Sequence, residues 1–148
     1  MGKEIERKFL VADFEAVKEA ARESVRISQG YLSVDPERTV RVRLWGERGF
    51  LTVKGLTKGM SRMEYEYEIP AADAREMLRL CIGNVIDKTR YLVDFEGLTW
   101  EVDDFHSPRE LRLAEVELQS ELDSPSLPQW VGPEVTGNPE YYNSSIAK

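Results

Sequence analysis

Along most of the chain, apolar and polar residues alternate at period 2, the spacing that sets one face of a β-strand against the other. The alternation predicts strands over 4–11, 25–34, 38–45, 50–55, 62–69, 85–95, 98–105 and 111–119. Turn signals such as Gly46-Glu47-Arg48-Gly49 and Glu96-Gly97 join neighbours, so antiparallel hairpins are expected. Twice the period changes to that of a helix. Asp13 is placed to cap a first helix whose Phe14, Val17, Ala20 and Ala21 recur at helical spacing. A second follows Pro70, with Ala74, Met77, Leu78 and Cys81 on one stripe, which makes Cys81 a core thiol. After Ser120 the composition shifts to Pro, Ser and Gly around Trp130. That predicts an ordered wrap leading to a short last helix, with Asn138 as its cap and Pro139 as its first residue.

The polar face of these strands is unlike an ordinary surface. Glu4, Glu6 and Lys8 share one face of the first strand, against Ile5, Arg7 and Phe9. Arg41 and Arg43 lie opposite Val40, Val42 and Leu44, and Lys54 lies opposite Leu51 and Val53. Arg62, Glu64, Glu66 and Glu68 are set against Met63, Tyr65, Tyr67 and Ile69. Lys88 aligns with Arg90, Glu101 with Asp103, and Glu115 with Glu117. Any one strand of this kind fits a half-solvated antiparallel sheet. Taken together they fit it poorly, because like charges on one strand face repel and most strands carry same-sign pairs. The face holds nine acids and seven bases, formally −2. Guanidinium pairs suit phosphate oxygens, and paired carboxylates suit hard divalent cations such as Mg²⁺ or Mn²⁺. A polyphosphate entering an acidic enclosure needs metal ions to balance its charge. Metal-assisted phosphoryl transfer or hydrolysis reconciles these ingredients.

Composition narrows the alternatives. A chain of 148 residues fits a single domain spanning 1–148. A formal charge of −7 argues against broad electrostatic binding to nucleic acid or to an anionic membrane. One Cys and one His exclude an intrachain disulfide framework and a zinc site built only from those residues. His106, before Ser107-Pro108, reads as a loop residue with no partner motif. The absence of a long apolar run makes a cytoplasmic location the expectation.

The segment Glu4-Ile5-Glu6-Arg7-Lys8 is an E-x-E-x-K signature. Together with Arg41-x-Arg43, Lys54, Glu64-x-Glu66, Lys88-x-Arg90 and Glu115-x-Glu117, in order over nearly the whole chain, it resembles the CYTH family, also called the triphosphate tunnel metalloenzymes. The tail Trp130-x-Gly132, Glu134-Val135-Thr136 and Tyr142-Asn143 resembles the end of small bacterial members. The resemblance implies an α+β fold: an eight-stranded antiparallel β-barrel with a charged, open tunnel and helices packed outside over the apolar faces. A C-terminal helix near Tyr141-Tyr142-Asn143 would plug or border one end. By the same resemblance Arg41, Arg43, Lys54, Lys88 and Arg90 grip the phosphates, and Lys8 contacts the phosphoryl group being cleaved. Glu4, Glu6, Glu115 and Glu117 hold the principal Mg²⁺ or Mn²⁺, with Glu64 and Glu66 nearby and Asp103 in support. Glu6, of the Glu4/Glu6 set, orients the attacking water. Tyr31, in Gln29-Gly30-Tyr31, matches a tyrosine that the family places near the catalytic lysine.

Three substrates divide the family: inorganic tripolyphosphate, thiamine triphosphate, and ATP cyclised to cAMP. The His-Phe pair that cyclases carry ahead of E-x-E-x-K is absent, since Met1, Gly2 and Lys3 precede Glu4. The position two before the arginine pair, where thiamine triphosphatases place a stacking aromatic, is Thr39. Trp45 and Trp100 could substitute for it, although core positions are the commoner use of Trp. Inorganic tripolyphosphate is therefore the expected substrate, with thiamine triphosphatase and class IV adenylate cyclase as alternatives. Two readings without catalysis remain: a polyphosphate- or nucleotide-binding module, and a sheet whose charged face is simply solvated. The expected partner is a small-molecule triphosphate, with no nucleic acid and no membrane; the oligomeric state is open.

Overall fold

The computed structural model describes residues 3–148. Its elements in order are β1 (Lys3–Val11), α1 (Phe14–Ala20), β2 (Glu23–Ser33), β3 (Thr39–Trp45), β4 (Arg48–Lys54), β5 (Ser61–Ile69), α2 (Ala71–Leu78), β6 (Ile82–Phe95), β7 (Leu98–Ser107), β8 (Leu111–Glu117), β9 (Val131–Glu134), a 3-10 turn at Pro139–Tyr141, and α3 (Asn143–Ile146). Hydrogen bonds run β5-β4-β3-β2-β6-β7-β8-β1, all antiparallel. β1 returns to β5 through the pairs Lys3↔Met63, Glu4↔Arg62 and Ile5↔Ser61, which closes an eight-stranded barrel and removes its edges.

Closure turns the charged strand faces inward. Lys8, Arg41, Arg43, Lys88, Arg90 and Asp103 are all buried, and the solvated-sheet alternative is thereby overturned. The apolar faces of β1, β6, β7 and β8 point out and form a core around Phe9, Trp100 and Val116, beneath α1 and the C-terminal wrap. α1 is short; Asp13 caps it by accepting from the Ala16 N–H at 3.2 Å, and its Val17 is fully buried. Trp130 from the wrap meets Trp100 edge-on at 5.6 Å. β9 follows Trp130, pairs with Phe9 and Val11 of β1, and contains Pro133, which fits an edge strand. α2 lies on β3 and β4, so close that a Cβ at Gly49 would sit 2.8 Å from that of Ala74.

One end of the tunnel is plugged by the C-terminal segment, as the resemblance implied, while several other expectations are corrected. Tyr31, Ile86, Phe105 and Leu113 share the strand phase of the lumen charges, and they form an apolar layer against Ile146 and Ala147 at the C-terminus. The last helix is split: Asn138 accepts from the Glu140 N–H at 3.1 Å, but it caps only a 3-10 turn, and α3 begins at Asn143. Beyond the part of β4 that α2 covers, the outer face of β4 and β5 is left bare, and Val53, Met63, Tyr65 and Tyr67 are exposed. Cys81 lies beyond the end of α2, half-buried, with its thiol donating to the Met77 carbonyl at 3.5 Å; burial pushes its pKa up. His106 is the penultimate residue of β7 rather than part of a loop, and it is exposed, bonded to the Thr89 hydroxyl at 2.8 Å. No helix among the described residues is long and apolar enough to cross a membrane.

Candidate active site

The lumen holds one cavity of about 440 Å³. Of the residues singled out in the sequence, Glu4, Glu6, Lys8, Tyr31, Arg41, Arg43, Lys54, Glu64, Glu66, Arg90, Glu115 and Glu117 line it; Lys88 and Asp103 do not. Glu101, Arg62 and Arg48 join the lining, giving seven carboxylates and seven cationic side chains. The lining is thus formally neutral rather than −2. Asp103 is spent beneath the wall, and Glu68 turns to the exposed side to pair with Arg48 at 2.8 Å.

Register explains how the two signs are sorted. β2–β3 pairing sets Gln29 opposite Arg43 and Tyr31 opposite Arg41, and β6 brings Arg90 to the same wall. β1–β8 pairing sets Glu6 opposite Glu117 and Lys8 opposite Glu115, while β7–β8 pairing sets Glu101 opposite Glu115. Carboxylates therefore face one another across adjacent strands, an arrangement that repels unless a cation comes between them.

Beneath the cationic wall lies a buried ion triad. Arg90 donates twice to Asp103, at 2.7 and 2.8 Å, and Lys88 donates to the same carboxylate at 2.7 Å. Burial alone would raise the pKa of Asp103, but the Arg90 and Lys88 charges hold it well below the usual carboxylate range. Both of its oxygens are engaged by these cations, so Asp103, expected to support the metal, stands here as counter-ion to Arg90 and Lys88. Lys88 is fully buried and is spent on Asp103 and on Asn143 Oδ1 at 3.0 Å, so it braces the wall instead of reaching the cavity.

The remaining cations keep donors in hand. Arg43 spends Nε on Gln29 Oε1 at 2.8 Å. Arg41 reaches Thr52 at 3.2 Å and Glu66 at 3.4 Å, and its buried Nε has no acceptor among the described residues. Such an orphaned guanidinium donor is costly unless an anion completes it. Lys54 is held between Glu4 at 3.1 Å and Glu64 at 3.2 Å. Lys8 donates to the Tyr141 carbonyl at 3.0 Å and lies 3.4 Å from Glu115. Burial works against the charge of Lys8, but Glu115 and Glu6 outweigh it and raise its pKa.

The carboxylates show the opposite imbalance. Burial, with Glu115 and Glu4 adding repulsion, raises Glu6 well above its usual range, and burial with Glu4, Glu64 and Glu101 raises Glu117. Burial disfavours the charge of Glu115 too, yet Lys8 holds its pKa down at about 2. Among the described residues no three acidic, His or Cys side chains already converge as a metal cage. The donor set nonetheless fits a hard divalent cation: it is all carboxylate oxygen, crowded, and short of positive charge on its own side.

Several site residues escape the alternation. Gln29 is fully buried and in phase with Tyr31, and the hairpin pairing with Arg43 was the signal for it. Asn143 lies in the tail segment that the resemblance sets at one end of the tunnel, but nothing in the alternation gives its side chain a role. Trp45 lines the cavity, with the Arg43 and Arg90 guanidiniums 6.0 and 5.6 Å from its ring centroid, whereas Trp100 is core. Thr39 is buried, accepting from Arg62 at 2.7 Å and donating to the Asp35 carbonyl at 3.0 Å, and it offers no stacking surface.

The sequence model of the CYTH domain family matches residues 2–148. A curated inorganic triphosphatase of Acetivibrio thermocellus is 50% identical over 150 residues, covering 100% of this chain and 95% of that protein. One of Nitrosomonas europaea is 36% identical, covering 97% of this chain and 96% of that protein. Among solved structures, the crystal structure of an inorganic triphosphatase superposes with a TM-score of 0.64 at 35% identity, covering 97% of this chain and 96% of that one. A Pyrococcus horikoshii protein at 21% identity and TM-score 0.64, covering 80% and 79%, shares the fold.

Proposed function

The chain belongs to the CYTH domain family, and on that premise we propose that it hydrolyses the terminal phosphate of inorganic tripolyphosphate with Mg²⁺ or Mn²⁺. The observation that carries the proposal is the barrel cavity in which guanidiniums with unspent donors face crowded carboxylates. An anion-binding module needs the first set but has no use for the second. The inorganic triphosphatase names of the full-length relatives support the same substrate class.

In this mechanism Arg41, Arg43 and Arg90 take the phosphate oxygens, with Lys54 released from its carboxylate partners to join them. Lys8, anchored by the Tyr141 carbonyl, contacts the terminal phosphoryl group, and Tyr31 orders that end of the site. Glu6, of the Glu4/Glu6 set, orients the attacking water and accepts its proton. The water oxygen bonds to the terminal phosphorus as the bridging P–O bond breaks, leaving orthophosphate and pyrophosphate. Glu4, Glu6, Glu115 and Glu117, with Glu64 and Glu66 nearby, would hold the divalent cation. When bound, the cation neutralises phosphate charge and stabilises the charge that develops in the transition state.

The test is phosphate release from tripolyphosphate, thiamine triphosphate and ATP at equal concentration with Mg²⁺ or Mn²⁺. Tripolyphosphate should be the fastest. Trp45, the one tryptophan on the cavity, already has two guanidiniums on its ring, so it is a poor platform for an organic group. Preference for either organic triphosphate would overturn the substrate assignment.

A further inference from the structure

Asn143 is the first residue of α3 and lines the cavity beside Tyr142 and Ser144. Its side-chain orientation is fixed by partners that can only donate. Lys88 Nζ has no acceptor capacity and lies 3.0 Å from Oδ1. Gln29 gives its oxygen to Arg43 Nε at 2.8 Å, so its amide nitrogen must face outward, and it donates to the same Oδ1 at 2.9 Å. Arg43, Gln29, Asn143, Lys88, Asp103 and Arg90 thus form one hydrogen-bonded network whose donors converge on Asn143 Oδ1 from both sides and on the Asp103 carboxylate. Reversing the Asn143 amide would set its NH₂ against the Lys88 ammonium and the Gln29 NH₂. Nδ2 therefore points away from that chain, and no protein acceptor among the described residues engages it.

We propose that Asn143 Nδ2 is a substrate-binding donor, giving a hydrogen bond to a phosphoryl oxygen of the triphosphate at the end of the cavity bordered by the C-terminal segment. The inference rests on the triphosphatase reading above and adds a residue to it. A neutral donor suits the place: Lys88, Arg43 and Arg90 already crowd it, and a further cation would add repulsion without relief. The same segment supplies the Tyr141 carbonyl that holds Lys8, so Asn143 acts on the phosphoryl group next to that lysine.

Two variants separate binding from bracing. Asn143→Asp keeps an oxygen for Lys88 and Gln29 but replaces the donor with an acceptor. Asn143→Ala removes both. With tripolyphosphate and Mg²⁺, the KM should rise about ten- to a hundredfold in each variant, the range for losing a hydrogen bond to a charged group. The melting temperature should fall in Asn143→Ala and hold or rise in Asn143→Asp. A KM within twofold of the parent in either variant would overturn the proposal. If the unsubstituted chain releases no phosphate from tripolyphosphate, the triphosphatase reading itself fails. Calorimetric titration with tripolyphosphate and Mg²⁺ then replaces the KM, and equal binding by parent and both variants, or no binding by the parent, overturns the Asn143 proposal.

Discussion

Asp103 and Arg43 illustrate two different jobs for buried charges around one lumen. Asp103 neutralises two buried cations, and removing its charge strands both. Asp103→Asn should cost about 3–5 kcal/mol, the range for breaking a buried ion pair from one side, readable as a loss of several degrees in melting temperature. The pH dependence has a definite sign. The folded pKa of Asp103 is depressed, so its contribution is complete above the unfolded carboxylate value of about 4 and is lost as the pH falls below it. The gap in melting temperature between parent and Asp103→Asn should therefore hold from pH 7 to 5 and narrow in stronger acid. Arg43 instead keeps donors for ligand. Arg43→Ala should raise the KM for tripolyphosphate about ten- to a hundredfold, the range for a lost charge-assisted hydrogen bond. The charged members of this set were readable in the sequence because period 2 puts them in phase. Gln29 and Asn143 were given no role of their own and Trp45 only that of a possible stacking platform, since a neutral amide or an indole says little until its partners in the fold are known.

Among the elements, the strands were legible in detail and the tail only in outline. β1–β8 follow from alternation that a sheet between core and lumen enforces at every residue. β9 is short and contains Pro133, so the alternation does not register it; the short last helix is expected from Asn138 and Pro139, but its division into a 3-10 turn and the single-turn α3 is not. α3 matters more than its length suggests, because Ile146 and Ala147 seal the lumen against Phe105 and Leu113. Ile146→Ala should destabilise by about 2 kcal/mol, the low end for a buried Ile truncation, and the loss should appear in thermal unfolding. At α2 the contact is equally tight. Gly49→Ala should lower the melting temperature, since its Cβ would meet Ala74 at 2.8 Å and the Ile69 carbonyl at 3.0 Å.

At the scale of the whole molecule, closure is what gives the charges a purpose, and closure was implied by family resemblance rather than by the pattern itself. Alternation cannot say that β1 meets β5, because the pairing is long-range and its register is set only in three dimensions. Nor can it say that one end is stopped, because Tyr31, Ile86, Phe105 and Leu113 occupy the same strand phase as the lumen charges. The closed barrel confines carboxylates whose mutual repulsion a divalent cation relieves. Mg²⁺ should therefore raise the melting temperature. Glu6→Gln should raise that of the metal-free chain, by removing a buried like charge, and shrink the Mg²⁺-dependent gain. The most direct measurement is the rate of phosphate release from tripolyphosphate as Mg²⁺ is titrated and then removed with a chelator. The expected result is a saturable rise with Mg²⁺ and loss of turnover on chelation; equal rates with and without chelator would contradict a metal-assisted site in the lumen.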